Sequence, residues 1–295
     1  SQCGLFATGK VLRRFGIPFT YLKNCNLEDE CFAEGIDRFL RVCNVVKAFR
    51  NTRVLQISTR PFDFWSTMCN EGELLEKFGI QLSPIPMPEL TQAMKDVKEN
   101  SPEEIKEVTD YCREKMCIKV TPEQLDNVAA LKIAMTRLGK KYGCNCGAIQ
   151  CWNALQDEIG IMPCAANALC NDEGFPIACE TDIHGTITSV LVEAAAMGET
   201  RSFFADWTVR HPYNDNAELL QHCGPWPISI AKEKPTIDTP VAFDCSGSLM
   251  AQAKDGEHIS LVRFDGDNGE YSLLLGNAKT VDGPYTKGTY MWVEV

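Results

Sequence analysis

The chain is organised around one stretch, Phe175-Pro176-Ile177-Ala178-Cys179-Glu180-Thr181-Asp182-Ile183-His184-Gly185. An apolar run in this stretch ends abruptly on Glu180. A helical pattern over residues 187–197 follows, and a second apolar run, Ser202-Phe203-Phe204-Ala205, ends on Asp206. If both runs are parallel neighbouring strands joined by that helix, the two carboxylates emerge side by side at the carboxyl edge of the sheet, where open α/β folds bind ligands. The sequence therefore predicts that Glu180 and Asp206 share a ligand site.

The histidines strengthen that prediction. All of them follow Glu180 in the chain: His184, His211, His222 and His258. Carboxylate and imidazole together indicate a divalent metal of the manganese or zinc type. A carboxylate at the end of a strand is also a common helix N-cap, so Glu180 has a structural alternative. His184 and His211 are interpreted as solvent-exposed or locally bonded side chains, and His258 as a structural residue of a hairpin.

Length and composition describe an ordinary globular protein. The chain has 295 residues, of which 44% are hydrophobic and 23% charged, and this predicts a sizeable core and two domains. A net charge of -11 argues against nucleic acid or an anionic membrane as a partner, since both need a basic face. We find no apolar run of the ~20 residues that span a bilayer. Because the chain begins with Ser1, we interpret it as an internal piece of a longer protein.

The 15 cysteines are scattered and odd in number. We interpret them as reduced core residues of a cytoplasmic protein, because buried cysteine behaves as a small hydrophobic residue. The alternative is a zinc site made of Cys144, Cys146 and Cys151. Their spacing lacks the paired Cys-x-x-Cys knuckles of a zinc ribbon, which disfavours that alternative.

Strand and helix patterns alternate through the middle of the chain, which predicts an α/β fold with a parallel sheet. Two capping boxes, Ser101-Pro102-Glu103-Glu104 and Thr121-Pro122-Glu123-Gln124, each predict the start of a helix. Three prolines predict an irregular segment over residues 82–90. Beyond about residue 228 short β-like runs predict an antiparallel barrel or sandwich. These runs cover residues 241–243, 259–264, 271–275 and 290–295.

Five segments resemble the L-fucose and L-arabinose isomerase superfamily, in particular its shorter fucose-isomerase-like members. They are Arg60-Pro61, Ala178-Cys179-Glu180-Thr181-Asp182, Phe204-Ala205-Asp206, His222-Cys223-Gly224 and Ser260-Leu261-Val262-Arg263. The resemblance implies that residues 1–26 are the tail of a truncated N-terminal α/β domain. It further implies a central α/β domain over residues 27–200 and an incomplete, β-rich, barrel-like C-terminal domain over residues 201–295. A homo-oligomer, either a trimer or a hexamer, is also implied.

The same resemblance implies a manganese site. Glu180 and Asp206 match the two acidic ligands of the family, which also form its proton-transfer pair. His222 is similar to an additional histidine ligand of the arabinose-isomerase branch. Family members carry a further histidine ligand beyond the position of Val295, so we expect this chain to bind manganese more weakly than a longer form.

The implied activity is aldose–ketose isomerisation of an open-chain sugar, such as an L-fucose-like, L-arabinose-like or modified hexose, through an enediol. A divalent metal would stabilise the developing charge, and a carboxylate pair would move the proton. Gln150 is expected to bind a sugar hydroxyl, unless it is a buried structural amide. Trp207 is expected to stack on the sugar, unless it fills the core. A sugar-binding module without catalysis is the alternative function, because fold alone does not fix function.

Overall fold

The computed structural model describes residues 2–241 and 244–295. Its helices are α1 (Gln2–Arg14), α2 (Glu30–Arg50), α3 (Glu71–Glu73), α4 (Met87–Asn100), α5 (Pro102–Lys115), α6 (Pro122–Lys141), α7 (Ala154–Ile159), α8 (Cys164–Asp172) and α9 (Ile183–Ala195). A π-helical turn, Leu74–Phe78, continues α3, and short 3-10 turns lie at Trp65–Thr67 and Ile228–Ile230. Its strands are β1 (Arg53–Ile57), β2 (Gln81–Ile85), β3 (Cys117–Ile118), β4 (Cys146–Ile149), β5 (Ile177–Ala178), β6 (Asp206–Arg210), β7 (Ala217–His222), β8 (Thr236–Asp238), β9 (Ser248–Gln252), β10 (His258–Asp267), β11 (Glu270–Val281) and β12 (Thr289–Glu294).

The first sheet is parallel throughout and has the strand order β2-β1-β4-β5. Every residue of β4 is buried, as are Val54, Leu55 and Ile57 of β1. Continuous apolar strands of this kind need helices on both faces of the sheet. The predicted α/β class with a parallel sheet is confirmed.

Only one of the two predicted capping boxes forms. Thr121 and Gln124 exchange side-chain and backbone hydrogen bonds at the start of α6, as the pattern predicts. At the start of α5 the side chain of Ser101 makes no cap. Its hydroxyl accepts a bond from Arg137, which also binds Glu104 at 2.5 Å. The Arg137 guanidinium of α6 therefore binds both side chains of the expected capping box.

The predicted irregular segment at residues 82–90 is wrong, because each proline lies where regular structure tolerates it. Pro84 belongs to β2, which is an edge strand, so its missing N–H leaves no gap inside the sheet. Pro86 is the N-cap of α4, and Pro88 lies in the first turn of that helix.

The second sheet is mixed and, over the described residues, remains open. Its main path is β10-β11-β12-β9-β8-β3, and β7 pairs with both β12 and β6. The predicted β-rich part is confirmed, but the purely antiparallel barrel is wrong, because β9 runs parallel to β12 and β3 runs parallel to β8. Of the run at residues 241–243, positions 242 and 243 lie outside the described residues, and Val241 is in a bend.

One apolar core joins the two sheets. Leu55 and Ile149 of the first sheet belong to the same buried cluster as Met291 and Val293 of the second. The fully buried Trp226 belongs to this cluster too. The division at residues 26 and 200 stays a prediction. No described helix is long and apolar enough to cross a bilayer.

A carboxylate at the end of α8 generates a testable pH dependence. Asp172 accepts a hydrogen bond from the backbone N–H of Ile228 at 3.1 Å, and burial raises the pKa of its carboxyl from 3.8 to about 6. The folded protein therefore binds this proton more tightly than the unfolded chain. As a result, stability is lost as the pH rises from 3.8 towards 6.

We predict that Asp172→Asn stabilises the protein above about pH 6 by roughly 1–2 kcal/mol, after allowance for solvent screening. The amide oxygen can still accept the Ile228 bond, while the cost of burying a charge disappears. Denaturant unfolding at several pH values measures the change. The control is Glu173→Gln, which removes an exposed carboxylate paired with Lys132 at 2.6 Å and should not stabilise. Equal stability of wild type and Asp172→Asn at neutral pH would contradict the prediction.

Candidate active site

The carboxyl ends of three parallel strands meet at one edge of the first sheet. Ser58 follows β1, Gln150 and Cys151 follow β4, and Cys179 and Glu180 follow β5. The Ser58 hydroxyl donates to Oε1 of Gln150 at 2.6 Å, and the Cys151 thiol donates to Oε1 of Glu180 at 3.1 Å. Glu180 thus lies at the sheet edge where the sequence predicts it.

The backbone at Glu180 is strained. Glu180 and Thr181 both have φ of 53°, in the left-handed region that a β-branched residue rarely adopts. Thr181 donates from its N–H to the carbonyl of Ile149 at 3.0 Å and from its hydroxyl to the carbonyl of Thr59 at 3.1 Å. Such residues cost about 1–3 kcal/mol each and persist only where their surroundings fix them. The strained turn is therefore held in place by the loop that follows β1 and by the last residue of β4.

His222 reaches the same place from the second sheet. It is the last residue of β7, and its carbonyl accepts a bond from the Thr289 hydroxyl of β12 at 2.8 Å. The ring of Phe204 packs edge-on against the imidazole, with 5.1 Å between centroids. Nε2 of His222 lies 3.5 Å from Oε2 of Glu180. The structure thus brings together two of the three metal ligands implied by the resemblance.

Glu180 and His222 stabilise each other's charged forms. Burial alone would raise the pKa of Glu180, but the hydrogen bond and charge of His222, with bonds from Cys151 and Trp152, hold that pKa below its usual value. Burial alone would lower the pKa of His222, but bonds to Cys223 and Glu180 raise it well above 6.5. The two side chains therefore form a buried carboxylate–imidazolium pair.

Asp206 approaches from a different direction than predicted. It is the first residue of β6, which pairs antiparallel with β7 so that Asp206 lies opposite Gln221, the neighbour of His222. Residues 202–205 form no strand, because Ser202 donates from its N–H and hydroxyl to Oε1 of Glu193 instead of to a strand. The expectation that Glu180 and Asp206 end adjacent parallel strands is therefore wrong.

The environment of Asp206 differs from that of Glu180. Asp206 keeps contact with solvent. Shielding by surrounding protein raises the pKa of its carboxyl, His222 lowers it, and the negative charges of Glu180 and Asp182 raise it further. The net effect is a raised pKa. Two carboxylates near one imidazole thus have pKa values shifted in opposite directions.

The two residues expected to contact the sugar, Gln150 and Trp207, lie in different environments. Gln150 accepts a hydrogen bond from the Ser58 hydroxyl. Its side chain thus has a partner inside the protein, as the structural-amide alternative expects. Its role toward a sugar stays a prediction. Trp207 is 53% exposed and pairs with Leu220 in β6–β7, so the alternative that it fills the core is wrong. Stacking of Trp207 on a sugar stays a prediction.

Two cysteines form a cluster with Glu180, beside the Glu180–His222 pair. Within the described part of the chain, the group of three potential metal ligands whose donor atoms lie within 4.8 Å of one another is Cys151, Cys179 and Glu180, all buried. Cys144 and Cys146 do not belong to this group, and their thiols bond to the carbonyls of Tyr142 and Arg53. The zinc site of Cys144, Cys146 and Cys151 therefore gains no support.

Comparison with known proteins finds similarity to sugar isomerases. Residues 1–50 match the family model described as the N-terminal domain of fucose/sulfoquinovose isomerase. The sulfoquinovose isomerase of Priestia aryabhattai is 25% identical over 299 aligned residues that cover all of this chain. The chain is thus similar to proteins named sulfoquinovose isomerases. The sulfoquinovose isomerase of Alkalicoccus urumqiensis is 25% identical over 96% of the chain, and that of Clostridium sp. strain MSTE9 is 24% identical over 79%.

The chain spans 66% of the length of the Priestia protein, 63% of the Alkalicoccus protein and 51% of the Clostridium protein. The Priestia alignment covers residues 180–222 as well as the matched N-terminal segment, since it includes the whole chain. The predicted resemblance to fucose-isomerase-like proteins is thus confirmed.

Sequence reasoning missed several neighbours of Glu180. The side chain of Trp152 hydrogen-bonds Glu180 and packs edge-on against Phe64, with 5.0 Å between centroids. Cys151 and Cys179 are buried, as predicted for cysteine, but they also contact or adjoin the carboxylate. The position of Trp152 just beyond a strand that ends at the sheet edge is the signal that identifies it.

The helix N-cap near this site is Asp182 rather than Glu180. Its carboxylate accepts a bond from the N–H of Gly185 at 2.8 Å and is paired with Arg263 at 2.5 Å. His184 is buried, and its Nδ1 lies 3.0 Å from Asp265. The predicted local bonding of His184 is confirmed, whereas solvent exposure is wrong. Glu180 is therefore free of the capping role that was its structural alternative.

The buried pair predicts a defined pH profile for stability in metal-free protein. The lowered pKa of Glu180 contributes stability above 4.5, and the raised pKa of His222 contributes stability that is complete below 6.5 and lost as the pH rises through the folded value. We predict that His222→Phe costs about 3 kcal/mol between these values, because it leaves a buried carboxylate unpaired.

A double-mutant cycle isolates that interaction. Adding Glu180→Gln to His222→Phe removes the unpaired charge, so the double variant should be more stable than His222→Phe alone. Chemical unfolding with a chelator present measures all four proteins. Strictly additive losses would show that the two side chains do not interact.

Proposed function

We propose that this chain carries the active site of an aldose–ketose isomerase. The observation that supports it most is the buried Glu180–His222 pair, 3.5 Å apart at the carboxyl edge of a parallel sheet, with Asp206 beside it. The proteins it resembles are named sulfoquinovose isomerases, and sulfoquinovose is a modified aldose.

We assign Glu180 as the base and Asp206 as the acid. Glu180 is held ionised by its lowered pKa, so it can accept the proton from the carbon next to the sugar carbonyl. Asp206 is exposed and its pKa is raised, so of the two carboxylates it is the one protonated more readily, and it would return a proton to the neighbouring carbon. Neighbouring carboxylates whose pKa values are pushed apart are a common basis for such acid and base roles.

A divalent metal, for which we propose manganese, fits the donor chemistry. Two carboxylates and one imidazole form a mixed oxygen and nitrogen set, and the close approach of Glu180 and His222 suits two ligands of one ion. Glu180, Asp206 and His222 would hold the ion, with His222 as a neutral imidazole, so binding would release to solvent the proton that His222 carries in the metal-free pair. When bound, the ion supplies Lewis-acid stabilisation of the charge that develops on the sugar oxygens. Trp152 and Phe64 limit the access of water to Glu180 from one side.

The substrate we propose is an open-chain aldose, with sulfoquinovose the first to test because of the relatives' names, followed by L-fucose and L-arabinose. Trp207, which is exposed next to Asp206, and Gln150 at the same edge as Glu180 are the proposed sugar contacts. We further propose a homo-oligomer, because large apolar side chains of α1 and α2 are exposed. They include Phe6, Phe15, Phe39 and Leu40. We also propose a cytoplasmic location, because the cysteines are scattered and odd in number.

The experiment follows loss of the sugar's C2 hydrogen in deuterated water by proton magnetic resonance, with manganese at saturation. It uses this chain and a version extended to the length of its relatives. We predict that Glu180→Gln lowers exchange and isomerisation together by about 10²–10⁴-fold, whereas Asp206→Asn lowers isomerisation more than exchange.

The matched control is Glu193→Gln. It changes another buried carboxylate to an amide on α9, where Glu193 accepts bonds from Ser202, and it should leave turnover within about threefold of wild type. A drop of less than about tenfold in metal-replete Glu180→Gln would reassign the base. Sugar binding by calorimetry without any C2 exchange in either version would favour the non-catalytic sugar-binding module.

A further inference from the structure

Two buried cysteines beside Glu180 have no role in the proposed isomerase chemistry. Cys151 and Cys179 are 2% and 0% exposed, and their sulfur atoms lie within 4.8 Å of each other and of a carboxylate oxygen of Glu180. Cys151 donates to Oε1 of Glu180 at 3.1 Å and accepts from the Glu180 N–H at 3.3 Å. Two thiols and a carboxylate thus converge on one small buried volume.

We propose that Cys151, Cys179 and Glu180 form a binding site for a thiophilic divalent cation, such as zinc or cadmium. Thiolate ligands select soft cations, in contrast to the carboxylate and imidazole set proposed for manganese. Binding displaces one proton from each thiol to solvent and leaves two metal–sulfur bonds and one metal–oxygen bond.

The distances suit this chemistry. Zinc binds sulfur at about 2.3 Å and carboxylate oxygen at about 2.0–2.2 Å, so ligand atoms arranged tetrahedrally around one ion lie roughly 3.6–3.8 Å apart. The three donor atoms lie within 4.8 Å of one another, so a contraction of at most about 1 Å would bring them to these separations. Asn167 donates from its side-chain nitrogen to Cys179 at 3.4 Å, which orients that sulfur.

The two carboxylate oxygens of Glu180 face different groups, and this links the cysteine site to the proposed catalysis. Oε2 faces His222, while Oε1 faces Cys151. A soft cation on the Oε1 side therefore draws on the same carboxylate that we propose as the base. We expect such a cation to inhibit isomerisation by withdrawing the electron pair of Glu180, an effect that rests on the proposed function, whereas the binding itself does not.

The test titrates the reduced chain with cadmium and follows the ultraviolet charge-transfer absorption of cadmium–thiolate bonds. A competing chelator keeps exposed cysteines unloaded, so that only the tightest site is observed. We predict one equivalent of tightly held cadmium. Cys151→Ser and Cys179→Ser should each weaken it by about tenfold or more, with loss of absorption. Glu180→Gln should weaken binding while the sulfur absorption remains.

Two controls decide where the cation lies. Cys170→Ser changes another buried thiol, whose contacts are Thr136 and the carbonyl of Lys132, and should bind as wild type does. Cys164 and Cys223, 3.4 Å apart, form a neighbouring thiol pair. Loss of the tight site in Cys164→Ser or Cys223→Ser, with retention in Cys151→Ser, would overturn the proposal.

A measurement on the unmodified chain keeps the proposal testable if a variant fails to fold. The cadmium-113 resonance of the loaded wild-type protein reports how many sulfur ligands the ion has. A shift typical of two sulfurs with oxygen agrees with the proposal. A shift typical of four sulfurs, or the absence of tightly bound cadmium, rejects it, whatever the outcome of the isomerase assays.

Discussion

The buried pair of Glu180 and His222 constrains the arrangement of both sheets. One side chain follows β5 of the parallel sheet, and the other ends β7 of the mixed sheet. A buried charge without its partner costs several kcal/mol, so the pair is favourable only while the two sheets stay in contact. The shared apolar core, with Ile149 on one side and Met291 on the other, supplies that contact independently of the charges. Hydrophobic packing thus positions the charged groups, as expected for a preorganised site.

Local backbone strain completes that positioning. The left-handed residues Glu180 and Thr181 lie at the end of a two-residue strand, where ladder hydrogen bonds alone are too few to fix them. Thr67 adds a weak bond from its hydroxyl to the Glu180 carbonyl at 3.4 Å, and Thr59 accepts from Thr181. Loops from other strands therefore maintain a conformation that the chain itself disfavours, which is a common feature of functional sites.

Sequence patterns anticipated the features that depend on local periodicity. The parallel sheet, α6 with its capping box, and the long β10–β11 pairing follow from apolar spacing and turn residues, since Asn268 and Gly269 supply the positive φ that a tight hairpin needs. Patterns failed where a long-range contact decided the outcome. Residues 202–205 look like a strand, but Ser202 binds Glu193, and the strand begins only at Asp206. Glu180 was identified from its place after an apolar run, whereas the contact between Trp152 and Glu180 became apparent only from the fold.

The thiol of Cys151 and the imidazole of His222 explain how the buried carboxylate of Glu180 can stay ionised. Burial raises the pKa of Cys151 to about 11, so near neutral pH it is a neutral, weak hydrogen-bond donor. A serine hydroxyl at that position would be a stronger donor and would stabilise the carboxylate more. His222 already holds one oxygen of Glu180 in its ionised form. A weak donor on the other oxygen leaves the electron pair of that oxygen more accessible to a proton or, when the thiols are deprotonated, to a soft cation. A cysteine rather than a serine at position 151 would therefore suit both the proposed base and the proposed binding of a thiophilic metal.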